Sequence, residues 1–82
     1  MGASSPNLTP PACRAARALL GWSLDDLAER VSISRDSISR FEGGRPMRDS
    51  NRRLIADVFS ANGVEILNGD APGARLRGQP ES

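Results

Sequence analysis

Arg35, Asp36, Ser39 and Arg40 are the residues of this chain best suited to chemistry by type and spacing. Positions 35 and 39 are four apart, as are 36 and 40, so on a helix all four share one side. The chemistry open to such a face is recognition rather than turnover. A guanidinium offers a rigid fork of donors to a carboxylate, a phosphate or the edge of a guanine, a carboxylate accepts, and a hydroxyl does both. Catalysis has little to work with. The sequence holds no His, which removes the commonest general base and metal ligand. Its single cysteine, Cys13, has no partner for a disulfide and no evident base beside it, so it reads as a small core or boundary residue. No metal or cofactor is expected, and the chain does not read as an enzyme.

A helix must hold this face, and the stretch around it is built to make one. Ser34 is a good N-cap, Ile33 before it can staple onto Ile38, and Ile38 with Phe41 forms the inward side of a helix over Arg35–Glu42. Another helix is predicted just upstream, over Leu24–Val31. Ser23 and Asp26 form a capping box there, Asp25 and Asp26 suit the positive end of the dipole, and Leu24, Leu27, Ala28 and Val31 make an apolar stripe. Only Ser32 to Ser34 separates the two, which is the helix-turn-helix arrangement, with the second helix held out by the first so that its outer face can enter a major groove.

The flanking segments complete a small bundle. Thr9 followed by Pro10 starts a first helix, Ala12, Ala15, Ala16, Leu19 and Leu20 fall on one stripe, and Gly21 stops it. After Glu42, Gly43, Gly44 and Pro46 interrupt the chain, and a fourth helix is predicted over Ser50–Asn62 with Leu54, Ile55, Val58 and Phe59 inward. The core is expected around Leu20, Leu27, Val31, Ile38, Phe41, Leu54 and Val58. The period then changes to two: Val64 and Ile66 alternate with Glu65, Ala74 and Leu76 with Arg75 and Arg77, and Asn68–Gly73 is turn material. A strand pair over 64–77 follows. A lone hairpin is marginal in water, so it should lie on the helices or pair with a second copy, and a homodimer through Val64, Ile66 and Leu76 is expected. Residues 1–8 and 78–82 read as loose ends.

With 82 residues there is room for one domain and a marginal core. Hydrophobic residues at 38% and charged ones at 26% argue for an ordinary globular chain over a disordered one. No apolar run approaches the roughly 20 residues of a membrane span, and 1–11 lacks the basic start and apolar centre of a secretory leader, so a cytoplasmic protein without a membrane partner is expected. The net charge of +1 is low for a domain that neutralises many phosphates. Its distribution says more: Arg45, Arg48, Arg52 and Arg53 face Asp49 alone, a basic patch directly after the central helix.

The run RALLGWSLDDLAERVSISRDSISRFEGGRP resembles the helix-turn-helix of the Cro and phage-repressor type, the XRE family of bacterial regulators, over Arg17 to about Phe59. The resemblance implies an all-α, lambda-repressor-like bundle of about four helices, here with a short C-terminal β-strand pair. It further implies an ion pair between Arg17 and Glu42 that ties the first helix to the recognition helix. Arg35, Asp36 and Arg40 match positions that read bases, and Ser23, Ser34 and Gly43 match positions that hold phosphates. Arginine on guanine is the commonest specific contact, and an aspartate can accept from cytosine.

Two positions depart from the family pattern. Leu24 stands where a phosphate-anchoring Gln is usual, and Ser32 replaces the turn glycine, which forces a side chain into a turn that favours positive φ at a cost of about 1 kcal/mol. Two functions therefore stay open. One is a transcriptional repressor that binds a double-stranded DNA operator through Arg35, Asp36, Ser39, Arg40, Arg45 and Arg48. The other resembles the small helix-turn-helix antiactivators of mobile elements, which seize a transcriptional activator protein instead. Leu24, Ser32 and Asp36 favour the second, and the Arg45 to Arg53 patch favours the first.

Overall fold

The computed structural model describes residues 8–67 and 73–77. Four helices, α1 (Pro10–Leu20), α2 (Leu24–Val31), α3 (Arg35–Glu42) and α4 (Asp49–Ala61), precede a two-stranded antiparallel sheet of β1 (Val64–Leu67) and β2 (Gly73–Leu76). This is the expected helical bundle with a short strand pair. The tail over 1–7, the turn over 68–72 and the end over 78–82 lie outside the described residues.

Local chemistry sets each boundary. The Thr9 hydroxyl accepts from the Ala12 amide at 3.2 Å, and Pro10 costs nothing at the first helical position. At the other end Gly21 is left-handed at φ 70°, and the Trp22 and Gly21 amides donate back to the Arg17 and Ala18 carbonyls. That pair of bonds is a Schellman closure, which needs the conformation glycine adopts freely. Ser23 and Asp26 complete a reciprocal capping box at α2, with bonds of 3.0 and 2.9 Å. The Ser37 amide donates to the Ser34 hydroxyl at 3.1 Å and starts α3.

Between α2 and α3 the chain turns on Ser32, whose φ of 57° is the one positive φ at a non-glycine among the described residues. A left-handed residue with a Cβ costs roughly 1–2 kcal/mol, and glycine's extra freedom in the unfolded chain takes back about 0.4–1. The balance predicts that Ser32→Gly stabilises the protein by about 0.5–1 kcal/mol, read as a higher urea midpoint at unchanged slope. An unchanged or lower midpoint would show that the turn carries no strain.

The core gathers Leu27 and Val31 of α2, Ile38 and Phe41 of α3, Ile55 and Phe59 of α4, and the small residues Ala12, Cys13 and Ala16 of α1. Small side chains let the other elements approach α1 closely, which places Cys13 in the centre of the packed face rather than at its boundary. The Trp22 ring stacks on Phe59 with centroids 5.9 Å apart, and the Arg30 guanidinium sits 4.3 Å from the Trp22 ring centre.

Three expectations are corrected here. Leu8, grouped with the loose tail, is 1% exposed and belongs to the core, because an apolar side chain just before the Thr9 cap can fold back under the helix it precedes. Leu54 is 47% exposed and Val58 only partly buried, since Ile55 and Phe59 hold the centre of the α4 stripe while Leu54 and Val58 sit one residue, about 100° of helix rotation, to its side. The hairpin takes the first of its two expected arrangements, on the helices, and the correction concerns Val64. The strand pair packs against α1 and α4, with Val64 fully buried in the core, so Val64 has no surface to offer a second copy. Ile66 and Ala74 are partly buried against the same core, and Leu76 stays half exposed at the rim. The register pairs Val64 with Leu76, Glu65 with Arg75, Ile66 with Ala74 and Leu67 with Gly73, which puts the Glu65–Arg75 ion pair, 2.9 Å, on the opposite face from Val64.

Candidate nucleic-acid interface

The buried residues of α3 decide what its other side presents. Ile38, Phe41 and Glu42 face inward, which leaves Arg35, Asp36, Ser37, Ser39 and Arg40 exposed. The helix is fastened at its far end by a polar cluster. Glu42, 8% exposed, accepts from Arg17 Nε at 2.8 Å and Arg17 Nη2 at 2.7 Å, and also from the Cys13 thiol at 3.1 Å. Arg17 donates further to the Trp22 carbonyl, and Arg14 to the Glu42 carbonyl. The Arg17–Glu42 pair thus joins α1, the α1–α2 connection and the end of α3.

This cluster also fixes the ionisation of its members. Burial first, then the hydrogen bond to Glu42 and its negative charge, pushes the Cys13 thiol well above the ordinary range, so the group stays protonated and inert. The hydrogen bond to Glu42 raises Arg17 despite the opposing effect of burial. At the start of α2 the Ser23 backbone amide, and after it the Ser23 hydroxyl, holds the Asp26 carboxyl below its usual range.

On the outer face the charges are largely paired with one another. Arg35 Nε lies 3.1 Å from Asp25 Oδ1, across the two helices, and Arg40 Nη2 lies 3.3 Å from Asp36 Oδ2, one turn apart on α3. Asp25 is the residue that sequence reasoning missed. It stands ten positions before Arg35, and only the angle between α2 and α3 brings their first turns together, so no single-helix periodicity could reveal the pair.

A cleft beside this face carries unpaired positive charge. Ser37 and Arg40 of α3, Arg45 and Met47 of the connection, Arg48 at the N-cap of α4 and Asn51 line it. Arg45 and Arg48 are exposed and make no ion pair among the described residues. Arg52, by contrast, is paired with Asp49. Ser37 and Asn51 join the site only here, because they line the cleft from two different helices.

Other expected contacts look different in place. Leu24 is half-buried against the core, so it is partly a packing residue and not an open contact. The Gly43 amide already donates to the Ser39 and Arg40 carbonyls as it closes α3, which leaves no free N–H for a phosphate. The Ser23 and Ser34 hydroxyls are engaged as caps, and Ser34 also donates to the Ser37 hydroxyl at 2.9 Å. Val64, Ile66 and Leu76 lie on the hairpin and are not part of this surface. Among the described residues no group of three or more His, Cys, Asp and Glu is placed to hold a metal ion, and no helix is long and apolar enough to cross a membrane.

No curated protein matches the chain. The family model for the helix-turn-helix domain matches residues 13–65, a span from the packed face of α1 through both helices of the motif and α4 into β1. With more than half of its length under that match and the α2–turn–α3 unit formed as described, the chain belongs to the helix-turn-helix domain family.

Proposed function

We propose that the protein is a transcriptional repressor that binds a double-stranded DNA operator, with α3 in the major groove and the adjoining cleft on the phosphate backbone. The observation that carries this reading is the cleft of Arg40, Arg45 and Arg48 beside the exposed face of α3. Arg35 and Arg40 read base edges, and Arg45 and Arg48 neutralise phosphates. The low net charge limits the sequence-independent part of the affinity, so most of the binding comes from contacts made in register.

Anisotropy titrations with labelled duplexes test this. Arg35→Ala or Arg40→Ala is expected to cost about 1–3 kcal/mol on a selected site and to relax preference at one base pair, and Arg45→Ala or Arg48→Ala to weaken all sequences alike and flatten the salt slope by roughly 1. Absence of any duplex binding by the wild type at low salt would overturn the reading.

A second reading, an antiactivator that occupies a transcriptional activator protein, has its own support. Asp25, Asp26 and Glu29 line a second cleft, with Ala28 and Ile33 at the α2–α3 turn, whose chemistry suits a basic protein surface better than DNA. Leu24→Gln separates the two: a gain or no change in DNA affinity supports the operator, and loss of a protein partner at unchanged stability supports the antiactivator.

A further inference from the structure

The exposed arginines around α3 are of two kinds. Arg45 and Arg48, on the flank, carry no ion pair among the described residues, whereas Arg35 and Arg40, on the reading face itself, are each held by an aspartate. All four side chains of those two pairs are more than three-fifths exposed, so they lie where a duplex would approach. The fold does not depend on them. Leu27, Val31, Ile38 and Phe41 already hold α3 to α2, and exposed pairs of this kind contribute little to stability.

We infer that Asp25 and Asp36 set the specificity of DNA recognition by restraining Arg35 and Arg40, so that a base-edge contact displaces the aspartates and general attraction to the backbone does not. This inference rests on the DNA-binding reading above. An arginine that leaves its aspartate exposes a carboxylate to nearby phosphates. A bidentate bond to a base edge compensates for that exchange, because it replaces one charge-assisted pairing by another of fixed geometry. Contact with the backbone at an arbitrary sequence is looser and wetter and does not compensate fully, so the aspartates weaken non-specific binding more than specific binding. Asp25 is therefore a specificity-determining residue outside the recognition helix, acting through Arg35.

The test compares wild type, Asp25→Asn, Asp36→Asn and the double variant on two probes, a random-sequence duplex and the tightest duplex the wild type selects from a randomised library. Glu29→Gln is the control. It changes the charge by the same amount on the same side of α2, four residues from Asp25, where no arginine pairs with it among the described residues. Thermal melts verify that each variant folds.

The expected result is that each Asn variant raises affinity for the random duplex about three- to tenfold at low salt and steepens its salt slope by nearly 1, with a smaller gain on the selected duplex, so that discrimination falls. Glu29→Gln should give less than half of that gain. Equal effects of Glu29→Gln and Asp25→Asn would overturn the inference in favour of net charge alone, and random-duplex binding unchanged in the Asn variants would overturn it while the DNA reading stands. A wild type that binds duplexes but selects no sequence would also overturn the inference, since there would be no specificity for the aspartates to set. Binding by the double variant alone, with none by the wild type, would overturn the operator reading and the inference with it, because the wild type would then have no DNA recognition for the aspartates to sharpen. Binding by neither would overturn both.

Discussion

Phe41→Ala is expected to lower the unfolding free energy by about 3–5 kcal/mol, the largest effect of any single truncation at the motif. The ring is 4% exposed and belongs to the last turn of an eight-residue helix that has only Ile38, Phe41 and Glu42 turned inward. So short a helix has little stability of its own and exists because it is packed. Loss of the ring removes its apolar burial and leaves a cavity that neighbours on α1 and α2 can only partly fill. In a domain of this size the total stability is about 5–10 kcal/mol, so the loss takes from about a third to all of it and the urea midpoint should fall steeply. Urea denaturation followed by Trp22 fluorescence reads this directly. A midpoint equal to that of wild type would remove Phe41 from the core, whereas Phe41→Leu should lose only a fraction of the free energy because most of the volume stays filled.

The second large effect is expected at Glu42. Replacing it with Ala strands the Arg17 guanidinium at 18% exposure without a counter-charge and leaves the Cys13 thiol without its acceptor. Breaking a fully buried pair typically costs 3–5 kcal/mol, and the residual exposure of Arg17 reduces this to about 2–4 by solvent screening. A partner-free design makes the cause visible: Arg17→Met combined with Glu42→Leu should recover most of the loss, since no charge is then left uncompensated. A double-mutant cycle with Arg17→Ala should show strong coupling. Simple additivity of the two single losses would mean that the ion pair is incidental and that only packing was disturbed.

These two residues also explain how the outer face of α3 is held in place. Ile38 and Phe41 fix which side of the helix faces out, and Glu42 fixes its far end to α1 and to the Trp22 carbonyl through Arg17. A weakened cluster should therefore loosen the presentation of Arg35 and Arg40 as well as the fold. The Ser32 turn is the complementary case, because a strained residue there sets the angle at which α3 leaves α2, and relief of that strain raises stability without touching the face.

By itself the sequence determined the elements and their limits. The Thr9–Pro10 start, the Ser23–Asp26 box, the Ser34 cap and Gly21 are local devices, each acting within four residues, and the three helices they delimit run over Pro10–Leu20, Leu24–Val31 and Arg35–Glu42 as read from spacing alone. The alternation after Gly63 marked the strand pair for the same reason. Only the tertiary structure decided which of several apolar neighbours occupy the centre of a stripe, so Ile55 and Phe59 are core while Leu54 is half exposed, and Leu8 and Cys13 are sealed. It also placed the hairpin on α1 and α4, where Val64 is buried instead of facing a second copy. Above all it decided the electrostatics of the site. Asp25 meets Arg35 across ten residues, and Ser37, Arg40, Arg48 and Asn51 meet across two helices. Such encounters depend on interhelical angle and rotation, which the whole core sets at once and no local pattern of residues records.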